Sequence, residues 1–157
     1  MRKMATIRRI DNIEPIEGAD AIMVATVGGW KSVIKKEEFK IGDVTIKVLH
    51  TPGHTMESTT YLLKDENGKD YAIFSGDTLF LGDVGRPDLA QKAASMTMED
   101  LAGLLYDSLM NKIMPLADDV IVYPAHGAGS ACGKNMMKET VDTLGNQKRM
   151  NYALNQP

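Results

Sequence analysis

The chain has 157 residues, 43% of them hydrophobic and 25% charged, with a formal net charge of −3. That length suffices for one respectable core, or for one large and one small module, and the composition is that of an ordinary soluble globular protein. No apolar run approaches a membrane span, the start Met1-Arg-Lys-Met-Ala-Thr lacks the apolar segment of a secretory signal, and the single cysteine, Cys132, permits no internal disulfide. The expectation is a cytoplasmic protein with no membrane contact, and its charge gives no reason to expect nucleic-acid binding. Eleven methionines read as flexible core filler.

Residues 5–43 read as a run of short strands. Thr6 to Ile10 with Ile13 come first, then a turn from Pro15 to Asp20, then Ile22 to Val27. Gly28-Gly29 is a hairpin signal before a strand from Trp30 to Lys36. Glu37 to Asp43 reads as a turn into the next strand. Trp30 and Phe39 read as core residues rather than a base-stacking platform. Three strands alone are marginally stable, so this piece must lean on something else.

From Val44 the character changes. Val44, Ile46 and Val48 alternate as on a strand with one buried face, and Pro52-Gly53 ends it, presenting His54 on a loop within His50-Thr-Pro-Gly-His54-Thr55. Strand 59–64, turn 65–70 and strand 71–75 follow, and the last runs into Asp77. The turn-rich loop Leu81 to Leu89 holds Asp83, Arg86 and Asp88, which read as a salt-bridged set. Thr97 and Asp100 form a capping-box variant before a helix that carries Leu101, Leu105, Leu109 and Ile113, stopped by Pro115. Strand 120–123 leads to His126. The small-residue loop Gly127 to Lys134 precedes a final helix opened by Asn135, with Met136, Met137, Val141 and Leu144 on its apolar side and Gly145 weakening it midway. The order β-β-β-α-β-α predicts an α/β layer with helices over one sheet face.

Three of these strands end in a side chain that can hold a metal: His54, Asp77 and His126. Histidine, aspartate and histidine suit zinc or iron, with water as a fourth donor. The bland alternative is that all three are hydrogen-bonded to backbone and hold no metal. His50 reads as a strand-end residue rather than a ligand. Cys132 reads equally as a reactive thiol or as an inert small residue.

The run from Met4 to Ile22, with Val24 to Trp30 and Lys35 to Asp43, resembles the opening of the oligonucleotide-binding-type module of one group of bacterial and phage RNA ligases. Such ligases form an adenylate on a lysine followed two residues later by Asp-Gly, and the sequence has no such motif. The expectation is that RNA-ligase catalysis is absent.

Residues 44–157 resemble the C-terminal half of a metallo-β-lactamase-fold domain, and within it the persulfide dioxygenases, including those fused to rhodanese domains. The motifs that carry this are His50-Thr-Pro-Gly-His-Thr55, Ser75-Gly-Asp-Thr-Leu-Phe80, Gly82-Asp-Val-Gly-Arg-Pro-Asp-Leu89 and Tyr123-Pro-Ala-His-Gly-Ala-Gly-Ser-Ala-Cys-Gly-Lys134. The resemblance implies half of an αββα sandwich joined to a β-rich N-terminal meander. It implies one Zn or Fe(II) ion on His54 and Asp77, with His126 as a further ligand in the dinuclear zinc branch. Asp77 would be the catalytic carboxylate, and Arg86, Cys132 and Lys134 would border the pocket for a small sulfur substrate.

The superfamily's His-x-His-x-Asp-His motif does not occur in this sequence, which has three histidines in all. Activity is therefore expected to be absent or weak. The two resemblances meet at Lys40-Ile-Gly-Asp43, which implies a chimera with parts 1–43 and 44–157, made by engineering or recombination. A half-sandwich also leaves an apolar sheet face that the β-rich N-terminal piece, a second copy of the chain, or both must cover, and a homodimer or larger assembly is expected. The rival expectation is a non-catalytic folded chimera with a structural metal or weak single-strand RNA binding.

Overall fold

The computed structural model describes residues 38–90 and 95–155, together with the backbone of 22–26 and 29–33. The strands expected between Thr6 and Ile13 and the turn at Pro15 to Asp20 lie outside the described residues, as does the side chain of Trp30.

β1 (Ile22–Thr26) and β2 (Gly29–Val33) form an antiparallel pair with Thr26 opposite Gly29, as the hairpin signal predicts. This pair is a sheet of its own. Glu37 to Asp43 differs from expectation. It is mostly a strand, β3 (Glu38–Ile41), which pairs antiparallel with β4 (Val44–His50). Gly42, at a φ of 61°, takes the left-handed conformation that so tight a turn requires. Phe39 stands opposite Ile46 and is half-buried.

The main sheet has six strands in the order β3-β4-β5-β6-β7-β8, with β5 (Thr59–Lys64), β6 (Asp70–Gly76), β7 (Ile121–Pro124) and β8 (Asp142–Thr143). All pairings are antiparallel except β6 with β7. A parallel pair needs a crossover rather than a hairpin, and helix α1 (Met98–Ser108) lies within that connection. Thr97 caps α1 in a full capping box with Asp100. The helix runs on through a π-helical turn, Leu109–Ile113, and stops before Pro115, which has no N–H to donate.

Register sorts the two sheet faces. Leu62, Ile73 and Val122 share the inner face and pack with Leu105, Leu109, Ile113 and Leu144 in one core. Each such buried side chain contributes roughly 1.5–3 kcal/mol. On the outer face Tyr61, Phe74 and Tyr123 lie side by side in register, 42%, 43% and 39% exposed, with the Phe74 and Tyr123 rings stacked at 5.5 Å. The sheet is thus covered by helices on one face and shows an aromatic row on the other.

The final helix is shorter and later than the sequence predicts. α2 spans Leu144–Met150, capped by Thr143, and residues 135–141 are not helical. Two long-range bonds account for this: the Asp83 carboxylate takes the Lys134 and Asn135 N–H groups, and Met137 N–H donates to Leu81 C=O. These pull the segment along the 81–83 loop, where helical bonds cannot form. Gly145 is therefore in the first turn of α2, not its middle. A Cβ there would stand 2.7 Å from that of Asp118, so the glycine allows a close approach rather than weakening a helix. Among the described residues no helix is long and apolar enough to cross a membrane.

Candidate metal centre

The site is built where β4, β6 and β7 end. β5 lies between β4 and β6 in the sheet, so the loop after β4 must reach over the start of β5. Helix α1 holds it there. Ser108 Oγ donates to Pro52 C=O at 2.8 Å, and Lys112 Nζ donates to His50 C=O. Gly53 sits so close to α1 that a Cβ would fall 2.3 Å from that of Leu105. Below the loop Thr51 Oγ1 shares hydrogen bonds with Thr78 (2.7 Å) and Thr60 (3.2 Å), all three buried.

His54 is thereby buried, and its Nδ1–H donates to the Arg86 carbonyl at 2.9 Å. A carbonyl only accepts, so this bond leaves the Nε2 lone pair free to bind a cation. Nε2 faces Asp77 Oδ2 at 3.2 Å, and His126 Nε2 faces Asp77 Oδ1 at 3.3 Å. Asp77 follows Gly76, whose φ of 54° turns the chain out of β6, and His126 follows Ala125, whose N–H is held by Gly76 C=O at 3.1 Å. Gly85 closes the floor. A Cβ there would lie 1.9 Å from the Asp77 carbonyl oxygen and 2.8 Å from His54 Cβ.

Sequence reasoning expected His54, Asp77 and His126 to meet, and the described geometry brings the two imidazoles to opposite oxygens of one carboxylate. His50, at the end of β4, is exposed and bonded by Nε2 to Met56 C=O, as a strand-end residue would be. Asp77 Oδ1 is buried and, among the described residues, is the one buried side-chain oxygen without a hydrogen-bond partner. Buried polar atoms are satisfied in almost every native structure, and a carboxylate with one imidazole nitrogen facing each of its oxygens fits a divalent cation. The donor set fits the ion.

Cys132 also comes to this place. One donor atom each from His54, Asp77 and Cys132 lie within 4.8 Å of one another. Its loop is pinned by Cys132 C=O accepting from Arg86 N–H (3.2 Å) and Cys132 N–H donating to Ser130 Oγ (3.1 Å). Of the glycines that flank it, Gly127 and Gly129 stand in open space, and only Gly133 is in close approach, where a Cβ would lie 3.1 Å from Asp83 Oδ2.

The salt-bridged set of the 81–89 loop is corrected in part. Arg86 does clasp Asp88, with Nε on Oδ1 at 3.0 Å and Nη2 on Oδ2 at 2.5 Å, and also donates to Ala131 C=O. The bond from Arg86 holds the Asp88 carboxyl below its ordinary value. Asp83 is not part of it. That side chain is buried and accepts from Val84 N–H (2.8 Å), Lys134 N–H (2.6 Å), Asn135 N–H (2.7 Å) and Tyr152 O–H (2.9 Å). Burial pushes its pKa up, and these four donors outweigh burial and bring it below the ordinary carboxylate value. Burial and the same pairing push Tyr152 up to about 12. Nothing local in the sequence distinguishes Asp83 from Asp88, because three of its four partners, Lys134, Asn135 and Tyr152, lie more than fifty residues away. Lys134, expected beside the substrate pocket, has an exposed side chain and is tied to Asp83 through its backbone.

The six-stranded sheet and its two helices match part of the metallo-β-lactamase fold. A metallo-β-lactamase from Staphylococcus aureus is similar over 76% of this chain and 33% of its own, with 39% identity and a TM-score of 0.65. ETHE1 from Myxococcus xanthus is similar over 76% of this chain and 44% of its own, with 31% identity and a TM-score of 0.56. Hydroxyacylglutathione hydrolase from Dictyostelium discoideum is 36% identical over 101 residues, which are 63% of this chain and 34% of that protein. The chain thus spans between a third and a half of the length of these relatives. At the other end, an OB-fold domain family matches residues 4–50, a span that passes the expected junction at Asp43 and ends with β4.

Proposed function

We propose that the chain is a metal-binding part of a metallo-β-lactamase-fold protein, holding one Zn or Fe(II) ion with His54, Asp77 and His126. The observation that carries this reading is the Asp77 carboxylate, whose two oxygens face the two imidazoles at 3.2 and 3.3 Å while Oδ1 has no hydrogen bond. A bound ion would supply Lewis acidity and an acidified water. This chain's residues would do the rest. Arg86 C=O keeps His54 Nε2 available, Gly85 seats Asp77 against His54, and Asp77 orients the water's proton.

Likeness to ETHE1 and to hydroxyacylglutathione hydrolase supports a small sulfur compound as substrate class, with Arg86, Cys132 and Lys134 at the pocket edge. Persulfide dioxygenation would need a further ligand face that the sequence's His-x-His-x-Asp-His-free chain does not supply, so we assign turnover as absent or weak. Division into parts 1–43 and 44–157, a chimeric origin and self-association through the Tyr61, Phe74 and Tyr123 face belong to the same proposal. Zinc-loaded protein should hydrolyse an activated ester slowly, and Asp77→Ala should lose that rate. Equal rates in the two forms would remove Asp77 from the chemistry.

A further inference from the structure

We propose that Cys132 is itself a metal ligand, its thiolate closing the site as a fourth donor beside His54, Asp77 and His126. This rests on the metal site proposed above and replaces that site's water-bearing position with sulfur.

Four observations support it. First, the donor atoms of His54, Asp77 and Cys132 lie within 4.8 Å of one another, and His126 is not part of that cluster. Donors on a tetrahedral zinc, at 2.0–2.3 Å from the ion, stand about 3.3–3.8 Å apart. A contraction of about 1 Å, within the reach of side-chain rotation, closes the set around an ion.

Second, one residue aligns both ends of it. The Arg86 carbonyl accepts from His54 Nδ1 and the Arg86 N–H donates to the Cys132 carbonyl, so a single peptide segment sets the imidazole and the thiol against each other. Supporting bonds of this kind fix ligand orientation in metal sites. Third, the loop that carries Cys132 is anchored on its far side, where Asp83 holds Lys134 and Asn135. These bonds to a buried carboxylate restrain the backbone just after Cys132.

Fourth, the two candidate third donors differ in burial. The His126 side chain is 42% exposed and reaches Asp77 Oδ1, whereas the His54 side chain is 10% exposed. An ion held by the buried pair has the thiol beside it and reaches His126 by a swing of an exposed ring. Thiolate ligation selects zinc over Mg- or Mn-type ions, and a site with four protein donors is closed. Hydrolysis through a metal-bound water would then need the thiolate to leave the ion first, which keeps turnover slow.

The test uses the whole chain loaded with cobalt(II). Cys132 is the sole cysteine, so a thiolate-to-cobalt charge-transfer band in the near ultraviolet can come only from it. The parent and His126→Ala should show that band. Cys132→Ser should bind cobalt through the remaining donors, checked by elemental analysis, and show no band. In parallel, zinc should slow the reaction of the parent's thiol with a disulfide reagent at least tenfold. A cobalt-loaded parent without the band, or a thiol equally reactive with and without zinc, overturns thiolate ligation and leaves the metal site standing. A parent that takes up no cobalt overturns both.

Discussion

Asp83→Asn tests whether one buried carboxylate holds the loop that carries Cys132. The carboxylate accepts four hydrogen bonds, two at Oδ1 from Val84 N–H and Tyr152 O–H and two at Oδ2 from Lys134 and Asn135 N–H. An asparagine of the same shape can keep one of these oxygens, and its amide then points hydrogens at two backbone donors. A buried donor left without a partner costs about 1–3 kcal/mol, and water reaching exposed Lys134 and Asn135 recovers part of that. The loss should be about 2–3 kcal/mol, equivalent to about 5–10 °C in Tm for a chain of this length. The pH dependence has a definite sign. Asp83 has a folded pKa below its unfolded value, so its contribution is fully present above the unfolded carboxylate pKa of about 3.9 and is lost as pH falls through the lower folded value. The gap in stability between parent and variant should therefore be constant near neutrality and narrow in acid. Urea unfolding across that pH range measures it. A Tm shift near zero at neutral pH, or a gap that widens in acid, would refute the reasoning.

Gly85→Ala places a methyl 1.9 Å from the Asp77 carbonyl oxygen, so the backbone must move and carry Asp77 away from His54; zinc affinity should fall about tenfold or more by titration calorimetry, and unchanged affinity would show that this approach does not shape the site. On the outer sheet face, Phe74→Lys breaks the stacked row of Tyr61, Phe74 and Tyr123. The parent should associate with rising concentration in sedimentation velocity and the variant should stay monomeric; a parent monomeric throughout would contradict self-association through this face.

Much of the sheet and the donor set was legible in the sequence because it is local. Alternation marks β4, Pro52-Gly53 marks its end, and Thr97 with Asp100 marks the start of α1, each read from a few neighbouring residues. The apolar spacing from Leu101 to Ile113 gave the buried stripe, though not the π-helical turn within it. What failed was decided at long range. Met136, Met137 and Val141 carry helical spacing, yet Asp83 and Leu81 bind the backbone of that segment and hold it in an irregular, non-helical path. Glu38 to Ile41 carry turn-like polarity, yet an open edge of β4 takes them as a strand. Cys132 was visible as a pocket residue, but its distance from His54 depends on Arg86 joining two loops seventy-eight residues apart, and no sequence pattern records that.

The measurement that bears most directly on the account is the metal content of the purified chain by elemental analysis, beside His54→Ala and Asp77→Ala forms with unchanged far-ultraviolet circular dichroism. The parent should hold near-stoichiometric zinc or iron, and both variants should lose it. A folded parent without metal, or variants that retain it, would contradict the assignment of this strand-end cluster as a metal centre.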